Sequence, residues 1–339
     1  MRLWPLVILL STWLGAGTNA QDPVRPEPEI LSCGDRFRQL TEPPCSYCST
    51  QDRKGIVARD DRVIAWLRAR HQGGAVPVRQ FLSVPRVIND TYGLFFYDAD
   101  GDYVSAFEKD YGYEAHGWRR GVMVIRGRDG TLYSALTGLA FEGPQKGHRL
   151  RRIPSMQSTW GHWLMLHPES TAYDMFDGKR YPSADLPTEL CEEVRTSMGE
   201  VDGRLPAMTP VLGVRVGDDT MVFPLADLPE RAVFQDTIGG WSVVVFWYGP
   251  SKTAVAWRRV LDDRRLEFRA DPVPPETAPF VDTATESRWT LAGRAVDGLL
   301  RHRELVWVDS VQCRWFAWAA EHPETRIHAA ASTSGEERK

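Results

Sequence analysis

"TWGHWLMLHPES" occupies Thr159–Ser170, and "RWFAWAAEHPET" occupies Arg314–Thr325. In each, two tryptophans stand three apart and a His-Pro-Glu-Ser/Thr follows. The offset is constant: Trp160 to Trp315 and His167 to His322 are both 155 positions. Trp160, Trp163, Leu164 and His167 fall at i, i+3, i+4 and i+7, one face of a helix. Ser158 is placed to cap its start. Pro168 disfavours helix at the residue before it and ends the run. The phrase therefore reads as a short helix that plugs a small sheet with Trp160 and Trp163, and a second time with Trp315 and Trp318. His167 and His322 each precede proline, where a ring can bond the last helical carbonyls. Their repetition argues a structural job, because a single active site rarely needs both.

Outward from these phrases the matching continues. "AVPVRQFLSVPRVINDTYG" from Ala75 faces "MVFPLADLPERAVFQDTIGG" from Met221, with Pro77 on Pro224 and Asp90-Thr91 on Asp236-Thr237. Tyr97 to Phe107 and Trp247 to Trp257 are both ten apart. "SALTGLAFEGP" faces "WTLAGRAVDGL", with Gly138 on Gly293 and Gly143 on Gly298. So many ordered matches predict an internal repeat. Within it, "AVFQD-TIGG-WSVVVFW", "GVMVI-RGRDG-TLYS", "VLGVRV-GDD-TMVFPL" and "RRVL-DDR-RLEFRA" are apolar runs around turn residues, the grammar of β-hairpins. The expected fold is α+β, mainly antiparallel β: two tandem, similar β-rich units, each closed by its short Trp helix. The units are placed at 54–180 and 206–328. A linker with one helical stretch is placed at 181–205, a Pro/Cys-rich segment at 21–53 and a disordered tail at 329–339.

The 339 residues carry 42% hydrophobic and 25% charged side chains, a globular composition. A formal net charge of −4 gives no reason to expect a nucleic-acid or anionic-membrane partner. Thirteen tryptophans suit either a sugar-binding surface or a core that uses indoles as filler, and the second is the expectation. Residues 1–20 read as a secretory signal: Arg2, then "LWPLVILLSTWLGAG", too short to span a bilayer, then Thr18-Asn19-Ala20 as the cut. No later apolar run is long enough to span. The mature chain would begin at Gln21 with 40 basic and 45 acidic residues, and would be secreted or periplasmic.

The ordered set "INDT…SALTG.AFEGP..GHRL…STWGHW...HPES" and "VLGV…FPL.DL…QDTIGG..VVVFW…TAVAW…SRWTLAGRAVDG…WFAWAAEHPET" resembles the bacterial domain-of-unknown-function family 3179. The resemblance covers roughly 54–328. It implies an exported, internally duplicated β-rich protein and carries no activity with it. Members of that family usually have "WHE" before the first "ND", where Val84-Pro85-Arg86 stands here. They have "CPLC" after the following strand, where Asp98-Ala99-Asp100-Gly101 stands here. The second stretch equivalent to this one is Tyr248-Gly249-Pro250-Ser251, again without cysteine. A soft-metal or redox site built on those thiols and imidazole is therefore not available to this chain with the same groups.

Three candidate sites follow. All five cysteines lie beyond the signal, and an oxidising compartment favours disulfides. Cys45-x-x-Cys48 has dithiol spacing without the βαβ context of a redox motif, so a staple from Cys33 to Cys45 or Cys48 is expected, with redox or metal binding as the alternative. Asp98, Asp100 and Asp102 alternate like the first ligands of a calcium loop. Tyr103 stands where such a loop wants glycine, and Lys109 where it wants glutamate. An acidic turn is the expectation there. His116, His148, His162 and His302 form no ligand spacing, and no Gly-x-Ser-x-Gly or His-Glu-x-x-His occurs. The sequence thus points to a non-catalytic exported module that binds a protein or polysaccharide in a cleft between the repeats. The alternative is a metal or thiol-redox protein using the N-terminal cysteines or the Asp98 loop, with calcium or a soft metal as the cofactor. In the first reading no cofactor is expected.

Overall fold

Strands that are apolar on every residue must be covered on both faces. Val243–Tyr248, within the strand Trp241–Tyr248, is such a run. Val244, Phe246 and Tyr248 enter one core while Val243, Val245 and Trp247 enter another. Gly93–Asp98 behaves alike, with Leu94 and Phe96 in one core and Phe95 and Tyr97 in a second. The period-two alternation of a strand sends successive side chains to opposite sides. Sheets are therefore sandwiched between two cores each, and the architecture is α+β with mostly antiparallel sheets.

The computed structural model describes residues 29–34, 36–37, 39–69, 72–82, 87–108, 112–176, 179–272 and 275–329. The expected signal segment with its cut after Ala20, the tail beyond 329, Val84-Pro85-Arg86 and Lys109 lie outside the described residues. The helices are short: α1 (Cys48–Lys54), α2 (Val78–Leu82), α3 (Trp160–Leu166), α4 (Glu192–Met198) and α5 (Trp315–Glu321). None is long and apolar enough to cross a membrane.

The sheet that carries α3 has the order Ser155–Thr159, Arg62–Ala69, Gln72–Pro77, Thr171–Tyr173, Cys45–Tyr47. The sheet that carries α5 has the order Ser310–Arg314, Pro210–Val216, Asp219–Pro224, Arg326–Ile327. In both, a hairpin is flanked by the strand that leads into the helix, antiparallel to it, and by the short strand that follows the helix, parallel to it. The four hairpins expected from sequence form. In the longest, Gly239 and Gly240 both take positive φ, 52° and 77°, as a two-residue turn requires.

The cores cross between the halves of the chain. Trp160 and Trp163 of α3 pack with Val244, Phe246, Trp257, Phe280 and Trp289 from the C-terminal half. Trp315 and Trp318 of α5 pack with Leu94, Phe96, Phe107, Trp118 and Met123 from the N-terminal half. The other face of each sheet is covered from within its own half. Val194 of α4 joins the core around α5, so the segment between the halves is packed too.

The two helices are matched in detail. All four indoles are at most 3% exposed. Trp163 Nε1 donates to Ser170 Oγ at 2.8 Å, and Trp318 Nε1 to Thr325 Oγ1 at 3.0 Å. His167 and His322 end their helices with φ/ψ of −138°/66° and −135°/67°. Their rings lie tilted by 40° and 41° against the Trp163 and Trp318 rings, with centroids 4.4 and 4.2 Å apart. The cap differs from expectation. Thr159 is the N-cap of α3 without a side-chain cap bond, and Ser158 lies within the preceding strand.

Candidate functional site: a cleft between two matched turns

Two hairpin turns face each other across the halves. Gly93–Asp98 and Tyr103–Phe107 are joined by a turn in which Asp102 has φ 47°. Trp241–Tyr248 and Thr253–Arg258 are joined by one in which Lys252 has φ 49°. A non-glycine residue held in the left-handed region needs bracing. Gln157 Nε2 donates to Asp102 O at 2.6 Å, and Gln312 Nε2 donates to Lys252 O at 3.0 Å. Gln312 Oε1 also accepts from Ala254 N at 2.9 Å, and Gln157 Oε1 accepts from Arg62 Nη2. These glutamines are again 155 apart, each two residues before its Trp phrase.

Around the braced turns lies a cleft of about 870 Å³. Leu186, Met208, Pro210, Leu225, Leu228 and Pro229 form an apolar wall. The floor is polar, with Arg62, Asp102, Gln157 and Ser158 from one half and Ser251, Lys252, Gln312 and Arg314 from the other. Asp227 and Glu230 also line the cleft. Of the floor charges, Asp102 and Arg62 hold each other: Asp102 Oδ1 accepts from Arg62 Nη2 and from Tyr97 OH, both at 2.8 Å. Arg314 Nη1 donates to Asp100 O at 2.8 Å. Trp247 lines the cleft but is 7% exposed, with its Nε1 donating to Pro229 O at 3.0 Å.

Hydroxyls run inward from the floor. Ser251 Oγ and Thr253 Oγ1 are 2.8 Å apart, Thr253 Oγ1 donates to Ser158 Oγ at 3.2 Å, and Ser158 Oγ lies 3.3 Å from His162 Nδ1. The His162 ring lies tilted by 36° against Tyr248, with ring centroids 4.7 Å apart. Burial holds its pKa down at about 4, so the ring is neutral at ordinary pH and a weak base. Cys313 occupies the place that matches Ser158, and burial pushes its thiol well above the usual range. Neither hydroxyl nor thiol is activated by these surroundings.

The Asp98 loop borders this cleft without forming a metal cage. Asp98 Oδ1 accepts from Asp100 N at 3.1 Å and the residue is 1% exposed beside Tyr103. Asp100 Oδ1 accepts from Cys191 N at the start of α4 at 2.7 Å. Asp102 is turned to Arg62 and Tyr97. Three carboxylates with three different destinations do not converge. Among the described residues no group of three or more His, Cys, Asp or Glu is placed to hold a metal ion.

The expected staple is corrected. All five cysteines are free thiols. Cys33 lies in the core around α5, where its Sγ is 3.4 Å from Ala115 O, whereas Cys48 opens α1 in the core around α3. The chain between them detours to pair Leu40–Thr41 with Val87–Asp90, which carries the two thiols to different cores. Burial pushes the Cys48 thiol up to about 11, the opposite of what a redox nucleophile needs. Cys191, which starts α4, is pushed up to about 12 by the same cause.

The fold and cleft define a β-rich α+β protein whose two halves share their cores and meet at a polar floor. Residues 119–325 match the family model described as Protein of unknown function (DUF3179). That is more than half of the chain, and the chain belongs to this family. No curated protein and no solved structure matches it.

Proposed function

We propose that the protein is an exported, non-catalytic binding module built from two tandem copies of one unit, and that the cleft between the copies holds an extended peptide segment of a partner protein. The observation that carries this reading is the cleft itself. It is large enough for several side chains, with an apolar wall over a floor where Arg62 and Asp102 already hold each other and Arg314 is bonded to the Asp100 carbonyl. A peptide suits it better than a polysaccharide. Sugars stack on exposed aromatic faces, and the indole in the lining is committed to the core. The metal or thiol-redox alternative has less support, because the aspartates diverge and the buried thiols are raised.

The test is a display library of extended peptides and a glycan array, both probed with the mature protein and with Met208→Asp, which puts a charge on the apolar wall. Enriched peptides lost in Met208→Asp, with no glycan signal, are expected. Glycan binding without peptide binding, or neither, contradicts the proposal. A stoichiometric metal in the purified protein, removed in Asp100→Asn, would favour the alternative.

A further inference from the structure

A second polar cluster lies between the halves, away from the cleft. Arg152 sits against Phe107, its guanidinium carbon 5.2 Å from the ring centroid, with 6% of its side chain exposed. Its Nε lies 3.3 Å from Asp309 Oδ1 and its Nη2 donates to Ser105 Oγ at 3.4 Å. Its Nη1 is buried and has no partner. Arg215 takes the other oxygen of Asp309 at 2.6 Å, and Arg149 donates to Thr137 O at 3.1 Å. Glu321 accepts from Thr137 Oγ1 at 3.3 Å and has Arg119 and Arg120 nearby. Asp309 thus serves two guanidiniums and leaves one N–H unanswered.

The matched place in the other half shows what this cluster replaces. Leu67 N donates to Pro154 O, and Arg215 N donates to Asp309 O, both at 2.9 Å. By that register and the 155 offset, Arg215, Asp309, Arg152 and Glu321 stand where Leu67, Pro154, Trp307 and Leu166 stand on the other side. Leu67, Trp307 and Leu166 pack there against an apolar core. Charges in place of packing cost desolvation that they recover only if each finds a partner. Arg152 Nη1 has none from the protein.

A slot lined by Arg152, Arg215, Ser310, Trp318 and His322, and also by Asp309, whose carboxylate is shared by the two guanidiniums, opens at this point, with a free volume of about 10 Å³. That is room for an occupant of about one water's size. We propose that the slot binds a single monatomic monovalent anion of the halide class, held by Arg152 Nη1 and the Ser310 hydroxyl between the two halves. The surplus of guanidinium over carboxylate supplies the field, and burial with the neighbouring arginines keeps His322 neutral, so the field comes from the guanidiniums alone.

Crystals grown with bromide, measured at the bromine edge, test this directly. An anomalous peak beside Arg152 Nη1 is expected, and no peak there, with water alone in the slot, overturns the proposal. In solution, chloride should raise the melting temperature by about 2 °C over gluconate at equal ionic strength. Arg152→Met should abolish that difference. Equal melting in the two salts also overturns the proposal, and if Arg152→Met does not fold, the bromide peak on the unaltered protein decides.

Discussion

Trp163 shows how one side chain ties sequence to fold. It is fully buried, its indole nitrogen is satisfied by Ser170, and Gly73 leaves room for its ring. Trp163→Ala should cost about 3–5 kcal/mol in a denaturant titration, because the neighbouring sheets cannot collapse into the space. A loss near zero would place the helix outside the core. The same close approach recurs at Gly213, where a Cβ would overlap the Trp318 ring, so Gly213→Ala should also destabilise. His162 gives a pH signature. Its folded pKa of about 4 lies below the 6.5 of a free ring. Between those values the unfolded chain holds a proton that the native one lacks, so the stability present above pH 6.5 falls as pH falls towards 4, by about 1.4 kcal/mol per unit for this group. His162→Gln should flatten urea-derived stability over that window by about one proton. An unchanged slope would show that the ring is not the group taking up the proton. Among the thiols, Cys45 is exposed while Cys33, Cys48 and Cys313 are buried. Native alkylation should modify Cys45 first, and all five should react after denaturation without reductant. Two missing thiols would reveal a disulfide. The tryptophans and histidines were legible because helical spacing and repetition both mark them. Gln157 and Gln312 were equally repeated, but glutamine has many surface uses, and only the αL turns they brace give them meaning.

At the scale of elements, the hairpins were legible from apolar runs around Gly and Asp, since turn chemistry is local. What covers them was not. "WSVVVFWY" and "LFFY" contain the signal for a strand buried on both faces, an unbroken apolar run, yet such a run does not say which element lies above it. The Asp98–Asp102 turn shows the opposite limit. Its alternating carboxylates read as a partial calcium loop, and the fold sends them to a helix start, an arginine and a tyrosine. With Asp100 and Asp102 already satisfied, millimolar calcium should shift the melting temperature no more than magnesium does. A calcium-specific rise lost in Asp100→Asn would show that the turn rearranges into a site. The glutamine braces are the elements' other dependency. Gln312→Ala leaves the Lys252 carbonyl and the Ala254 N–H without their partner and should cost about 1–3 kcal/mol by denaturant titration. No measurable cost would mean the turn holds its conformation unaided.

The whole molecule is organised by exchange. Each Trp helix closes a core whose other wall belongs to the other half of the chain, and the cleft is floored where the two braced turns meet. Repetition in the sequence marked the two Trp helices but not the crossing of their cores, because a repeated phrase says nothing of which half of the chain it packs against. The crossing makes the cleft a property of the intact pair of halves, with neither half able to present it alone. Calorimetric unfolding of the full chain tests this most directly. Shared cores predict one cooperative transition with calorimetric and van't Hoff enthalpies equal, moved as a whole to lower temperature by Trp163→Ala and by Trp318→Ala. Two resolved transitions, each shifted by only one of the substitutions, would show two independent halves and contradict the account.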